Sequence, residues 1–243
     1  MTDRILLALA LALVAVGLAF AVKPQLDLDA TRFVFERFGF FGQSEGARQA
    51  RDMLRLGPFW LLAGLAGLWL ARRIGWTTWP APSFRALLFL GASLTIGSGL
   101  IVNLGLKNHS HRPRPVHVRE FGGDEDFRPW YRFDGACRRN CAFASGEAAS
   151  GVWMIAPALL TPPPFRVAAI AAAVLYGVAT SALRVAFGGH FLSDVVMGGL
   201  ISAIVVMALW RLYSRRPAAS ATAPPDRFRA GSRTVPGTPS PPE

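Results

Sequence analysis

Residues 192–212 read LSDVVMGGLISAIVVMALWRL and are almost entirely apolar or small. Charge is confined to the two ends of the stretch, where Asp194 and Arg211 stand. A helix of about 20 apolar residues is long enough to cross the hydrocarbon core of a bilayer. The stretch therefore predicts a transmembrane helix whose first turn carries a carboxylate.

Five further apolar runs precede this stretch, and together they predict an all-α fold, a six-transmembrane-helix bundle with its active site at one membrane face. The second and fourth runs are short, and we expect them to begin within residues 53–57 and near Ser145. The five runs are Ile5–Val22, Pro58–Ala71, Ala86–Leu106, Gly151–Leu160 and Val167–Phe187.

Composition excludes several classes of protein. The 243 residues are 52% hydrophobic and 17% charged, with a formal net charge of +11. Such values do not fit a disordered chain, a coiled coil or an ordinary soluble enzyme. A strongly basic chain often binds nucleic acid, but the long apolar runs favour the membrane as partner and no nucleic acid.

The chain divides into a membrane domain, residues 1–213, and a tail, residues 214–243, that is rich in Pro and Arg and is predicted to be disordered. Ala19-Phe20-Ala21 matches a signal-peptidase site, but the apolar stretch before it is long, which favours an uncleaved anchor. The aromatic residues within 23–57 predict a segment that lies along the membrane interface.

Sidedness follows from two features, although the total Lys and Arg counts of the loops do not decide it. Arg72-Arg73 and Arg215-Arg216 adjoin span ends, which places the termini and the tail in the cytoplasm. Cys137 and Cys141 share one loop on the opposite side, which favours a disulfide in an oxidising compartment over zinc. We therefore expect a multi-pass protein of the bacterial inner membrane with its site facing the periplasm.

Ionisable and small polar residues collect at the span ends on that periplasmic face. Charged groups near a membrane are costly, and they normally face a bundle interior or a water-filled cavity. Because successive spans alternate in direction, all these positions meet on one side, which predicts a functional site. The residues are Lys107, Arg114, Ser145, Gly146, Glu147, Arg184, His190 and Asp194.

The residue types in this set indicate phosphate chemistry. Lys107, Arg114 and Arg184 supply three positive charges, and a helix that begins at Ser145-Gly146 offers amides to an anion. His190 and Asp194 are four residues apart, so on a helix they share a face, and the carboxylate would orient the imidazole for attack on phosphorus. No acidic cluster suited to magnesium accompanies them, so we expect no metal and no cofactor.

The pattern Lys107-x6-Arg114-Pro115, Ser145-Gly146, Arg184-x5-His190-x3-Asp194 resembles the three-part signature of the phosphatidic acid phosphatase type 2 superfamily. The resemblance covers residues 107–194 and the six-span layout. It implies that His190 is a nucleophile that forms a phosphohistidine and that Asp194 orients it. It further implies that Lys107, Arg114, Ser145, Gly146 and Arg184 bind the phosphate.

One departure from the family pattern concerns the general acid. The family usually has His after Ser-Gly, whereas this chain has Glu147. Glu147 would serve as the acid if burial raised its pKa, and the neighbouring arginines oppose such a rise. His109 or His111 could take the role, a good leaving group could make it unnecessary, or catalysis could be lost. Leu183 also stands where the family often has Ser.

The resemblance implies a metal-independent hydrolase acting on a lipid phosphate or diphosphate in the bilayer. Candidate substrates are lipid A-type lipids, undecaprenyl diphosphate and phosphatidylglycerophosphate. The aromatic segment after the first span and the loop with Cys137 and Cys141 are most similar to lipid A phosphatases. The alternative function is a non-catalytic protein that binds or transports a lipid phosphate, which the departure at Glu147 suggests.

Overall fold

The computed structural model describes residues 2–40 and 44–215. In this part of the chain the protein is helical, with one isolated β-bridge between Val118 and Glu125 and no strand, which confirms the all-α prediction. The predicted disordered tail, apart from Ser214 and Arg215, lies outside the described residues. The α-helices are α1 Thr2–Val22, α2 Gln25–Phe38, α3 Glu45–Arg73, α4 Phe84–Leu94, α5 Lys107–His109, α6 Gly146–Trp153, α7 Ile155–Leu160, α8 Pro163–Ala186 and α9 Leu192–Ser214.

Five helical stretches within the described residues are long and apolar enough to cross a bilayer. They match the first, second, third, fifth and sixth predicted spans. They are Thr2–Val22, Glu45–Arg73, Phe84–His109, Pro163–Ala186 and Leu192–Ser214.

The fourth predicted span is the exception, because α6 and the short α7 stand in its place and the helix breaks at Met154. Pro157 explains the break. It has no amide for the helical ladder, and its ring would clash with the carbonyl of residue 153 in a continuous helix. The first part of this pair, α6, begins at Gly146, as expected from Ser145.

The third span contains an unusual helical segment. Residues Thr95–Leu106 form a π-helix between α4 and α5. π-helical turns are rare in proteins, and those that occur are often found at functional sites. This segment packs on α6 and α9, and Ser98 Oγ donates a 3.2 Å hydrogen bond to the Gly146 carbonyl at the start of α6. The π-helix therefore supports the end of the bundle where the predicted site residues lie.

The centre of the bundle is the contact of α6 with α8 and α9. Small residues allow these helices to approach closely: Gly177 packs against Val152, and Gly151 against Thr180. Trp153 is fully buried, and its indole N–H donates to Ser93 Oγ at 2.8 Å and to the Leu90 carbonyl at 3.2 Å. Close packing and these hydrogen bonds thus fix α6 relative to α8 and α4.

The N-terminal helices cover the bundle. α1 packs along α9, and Trp130 from the long loop donates to the Gly17 carbonyl at 3.1 Å. α2 lies within the predicted interfacial segment and packs on α8 and α9 near the start of α9. It brings Asp27 and Thr31 into the interior, where both are buried.

Candidate active site

A cavity of about 260 Å³ lies at the end of the bundle where α3, the π-helix, α6 and α8 meet. Its wall is strongly polar. Five of the residues predicted from the sequence line it, namely Lys107, Arg114, Gly146, Glu147 and Arg184. We call it the phosphate cavity after the ligand expected from the sequence. Three of these five residues are cations, and Gly146 and Glu147 begin α6, where the helix dipole favours an anion.

The other three predicted residues do not line this cavity and are buried. Ser145, His190 and Asp194 are each at most 1% exposed. Ser145 is the N-cap of α6, and its Oγ accepts a hydrogen bond from the Ala148 amide at 3.3 Å. Its own amide donates to the Asp194 carbonyl at 3.0 Å. Ser145 therefore joins α6 to α9, and its Oγ serves as the acceptor that caps α6.

His190 is held by a backbone carbonyl. Its Nδ1 lies 2.6 Å from the Ala142 carbonyl oxygen, to which it donates, and 3.8 Å from Asp194 Oδ2. The expected shared helical face is not present, because α9 begins at Leu192 and His190 lies in the preceding loop. Burial lowers the pKa of His190 to about 4. The ring is therefore neutral at neutral pH, and Nε2 carries its lone pair.

Arg184 lines the phosphate cavity and contacts Gly189, the residue before His190. Its side chain is 4% exposed, and Gly189 packs so closely on the guanidinium that a Cβ would overlap it. Arg184 Nε lies 3.5 Å from Glu147 Oε2, and no hydrogen-bond acceptor is found for this nitrogen among the described residues. A buried guanidinium N–H without an acceptor is costly, and a phosphate oxygen is a suitable acceptor.

Glu147 is paired with an arginine that lies outside the three sequence motifs. Arg51 of α3 donates to both carboxylate oxygens, at 2.6 and 3.2 Å. A two-point contact of this kind favours the ionised carboxylate. Arg51 and Arg55 are four residues apart on α3 and both line the phosphate cavity. Their spacing on one helical face was the signal in the sequence that would have found them.

The two histidines considered as alternative acids do not line the phosphate cavity. His109 is exposed, and its Nδ1 lies 2.7 Å from the Gly105 carbonyl oxygen. His111 Nδ1 lies 2.9 Å from the carbonyl oxygen of Cys137. Both rings bond to the backbone instead. Among the described residues that line the cavity, Glu147 is the one that carries a carboxyl group.

A buried ionic network supports Asp194 from behind. Arg112 has no exposed surface, and its Nη1 donates to Asp194 Oδ1 at 2.5 Å and to Ser193 Oγ at 2.8 Å. Its Nη2 donates to Asp27 Oδ2 at 2.7 Å. The guanidinium also lies over the ring of Phe191, at 4.4 Å. Arg112 thus holds two carboxylates, one of them the predicted partner of His190.

Asp27 extends this network to α2. Its Oδ1 accepts a 2.8 Å hydrogen bond from the Ser193 amide in the first turn of α9, and its Oδ2 accepts from Ser193 Oγ at 2.6 Å. A carboxylate at this position is favoured by the α9 dipole. No local sequence pattern indicates Asp27, because its partners Arg112 and Ser193 lie 85 and 166 residues away along the chain.

The structure joins Cys137 and Cys141 in a disulfide. The bridged loop is tied to the first motif: the Cys141 amide donates to the Lys107 carbonyl at 3.3 Å, and Arg114 donates to the Asn140 carbonyl at 2.8 and 3.2 Å. Within the described residues no three His, Cys, Asp or Glu side chains cluster as metal ligands would.

Comparison with known proteins gives the class to which this helical bundle and cationic cavity belong. The family model of the PAP2 superfamily matches residues 86–218, and the chain belongs to this superfamily. The matched range contains all eight predicted phosphate-site residues as well as Arg112, and it leaves out Asp27 and Arg51.

Three proteins named lipid A 4'-phosphatase are similar to the chain. The protein of Francisella tularensis subsp. novicida is 39% identical over 131 residues, which cover 54% of this chain and 58% of the relative. The protein of Rhizobium leguminosarum is 43% identical over 120 residues, which cover 49% of this chain and 52% of the relative. The protein of Rhizobium etli is 44% identical over 123 residues, which cover 51% of this chain and 48% of the relative. The chain spans about half the length of these relatives. No solved structure matches the chain.

Proposed function

We propose that the protein is a membrane phosphatase that removes phosphate from a lipid phosphate or diphosphate through a phosphohistidine on His190. The single observation that supports this most strongly is the buried Arg184 guanidinium. Its Nε has no acceptor among the described residues, it lies against the residue next to His190, and four more cations line its cavity, namely Arg51, Arg55, Lys107 and Arg114. Family membership and the names of the relatives agree with this function.

In the first step the phosphate binds between Lys107, Arg114 and Arg184. The lone pair of His190 Nε2 forms a bond to phosphorus, and the bond between phosphorus and the lipid oxygen breaks. The Ala142 carbonyl retains the proton on Nδ1, and Asp194 stabilises the positive charge that develops on the ring. The three cations stabilise the charge on the equatorial oxygens, so the step proceeds without a metal ion.

Glu147 supplies the proton that the leaving oxygen takes up. In the unliganded cavity Arg51 and Arg184 favour its ionised form. A phosphate in the cavity binds Arg184 and places negative charge beside the carboxylate, which favours its protonation. In the second step water attacks phosphorus, the bond from Nε2 to phosphorus breaks, and Glu147 takes the proton from water. The products are inorganic phosphate and the lipid alcohol, or inorganic phosphate and the lipid monophosphate when the substrate is a diphosphate.

The substrate proposed first is a lipid A-type lipid, because all three relatives carry that name. Undecaprenyl diphosphate and phosphatidylglycerophosphate are the other candidates. The protein is proposed to lie in the inner membrane of a bacterium with its cavity facing the periplasm, where the disulfide between Cys137 and Cys141 is stable.

Phosphate release in the presence of excess chelator tests this function. Purified protein in detergent micelles is incubated with each candidate lipid, and free phosphate is measured. We expect release by the wild type and by His109→Ala, whose ring lies outside the cavity, and none by His190→Ala. Binding of the lipids without release by the wild type would favour the alternative, a non-catalytic protein that binds or transports lipid phosphate.

A further inference from the structure

A second cavity, of about 530 Å³, adjoins the phosphate cavity. The two share Arg114 and Asn140 in their walls. The second cavity is formed by the loop that contains the disulfide, and we call it the loop cavity. Its charged lining residues are Arg114, Arg138, Arg139, His117 and Glu125. The lining therefore carries three arginines and one carboxylate, and this excess of positive charge favours an anionic ligand.

Arg138 and Arg139 differ from the other arginines of this loop. Arg119 pairs with Asp126 at 3.0 Å, Arg128 lies 3.5 Å from Asp134, and Arg132 also pairs with Asp134. No ion pair or side-chain hydrogen bond joins the guanidinium of Arg138 or Arg139 to any described residue, and both residues are exposed. Their charge is therefore available to a ligand at the mouth of the cavity.

The backbone that carries these two arginines is restrained. They lie between the bridged residues Cys137 and Cys141, which are four positions apart. The Cys137 amide donates to the His111 carbonyl at 3.3 Å, and His111 Nδ1 donates to the Cys137 carbonyl at 2.9 Å. A restrained loop loses less conformational freedom when its side chains bind a ligand. The disulfide thus positions Arg138 and Arg139 beside the phosphate cavity.

We propose that the loop cavity binds a second anionic group of the same lipid headgroup whose first phosphate occupies the phosphate cavity. The inference rests on the proposed function, because it assumes that the phosphate cavity binds a phosphate group of the lipid. Arg114 contributes to both walls, so a headgroup that fills both cavities passes over this residue. The substrate class is a lipid with two separated anionic groups, such as a bisphosphorylated saccharide lipid, and a lipid with one phosphate fills one cavity.

Binding by the His190→Ala variant tests this inference without requiring turnover. The probes are lipid A carrying both the 1- and the 4'-phosphate and lipid A carrying the 4'-phosphate alone, each in the same neutral detergent micelles. We expect the bisphosphorylated lipid to bind at least about tenfold more tightly, since it makes a second charge-assisted contact that the monophosphorylated lipid lacks. Adding Arg138→Gln and Arg139→Gln should reduce this ratio to nearly one.

The matched control is the pair Arg119→Gln and Arg132→Gln in the same His190→Ala background. It removes the same charge from the same loop at residues that line neither cavity, and it should leave the ratio as it was. The inference would be overturned if His190→Ala bound the two lipids with equal affinity. It would also be overturned if Arg138→Gln and Arg139→Gln weakened the binding of both lipids by the same factor. A different outcome would separate the two proposals. If His190→Ala prefers the bisphosphorylated lipid but the wild-type protein releases no phosphate, the inference stands and the proposed function is contradicted.

Discussion

Asp27 and Arg112 form a buried ion pair of 2.7 Å in which neither side chain is more than 1% exposed. Asp27 belongs to α2, outside the range that the family model matches, whereas Arg112 lies within it, between Lys107 and Arg114. Because Arg112 also holds Asp194, the pair couples an N-terminal helix to the carboxylate behind His190.

Replacing Asp27 with Asn should destabilise the protein and disturb the site. The change leaves Arg112 buried with one carboxylate, and breaking a buried pair in this way costs about 3–5 kcal/mol. We expect a lower denaturation midpoint in detergent and a lower kcat. Asp29→Asn is the control, because Asp29 lies on the same helix in an exposed pair with Arg32 and should change stability by less than about 1 kcal/mol. Equal effects of the two changes would show that the buried pair has no special role.

Replacing Glu147 with Gln should slow the release of poor leaving groups. A general acid contributes about 10²–10⁴-fold to the rate, and a leaving group that is stable as an anion does not need it. We therefore expect a fall of about 100-fold or more in kcat for an alkyl phosphate lipid and a much smaller fall for a nitrophenyl phosphate. The pH–rate profile should also lose the limb that reports the ionisation of Glu147. An equal fall for both substrates, with an unchanged profile, would remove Glu147 as the acid.

The imidazole of His190 should titrate far below the usual range of histidine. Burial lowers its pKa to about 4, so the ring stays neutral and nucleophilic as the pH falls to that value and gains a proton below it. The measurement is a ¹⁵N-histidine NMR titration in micelles, with His190→Ala to assign the signal. A midpoint near pH 4 is expected. A midpoint near the free value of about 6.5 would mean that the ring is solvated.

Adding a methyl group at Gly189 should displace the Arg184 guanidinium. A Cβ at this position would overlap Nη2 and Cζ of Arg184, so the side chain would have to leave its present position. We expect Gly189→Ala to raise KM and to lower kcat/KM by about tenfold or more, equivalent to one charge-assisted hydrogen bond. Gly64→Ala on α3, where no described atom lies within 4 Å of the added carbon, should be neutral. Activity retained by Gly189→Ala would argue against Arg184 as a phosphate ligand.

The sequence predicted those features that depend on the order of elements along the chain. Apolar length predicted the spans, and alternating span direction brought Lys107, Arg114 and Arg184 to one cavity. Features that depend on tertiary packing were missed. The Ala142 carbonyl bonds His190 across 48 positions, and Arg51 reaches Glu147 across 96, so no local pattern contains either pair. The break at Met154 was also missed, although Pro157 was its local cause.

Trapping the covalent bond between phosphorus and His190 is the sharpest test of the proposed mechanism. The protein is mixed with lipid carrying ³²P-phosphate, quenched in alkali within the first turnover, digested and examined by mass spectrometry. We expect an acid-labile, alkali-stable label on the peptide containing His190, and no such label in His190→Ala. Phosphate release by His190→Ala at the wild-type rate, or turnover by the wild type with no label at His190, would contradict it.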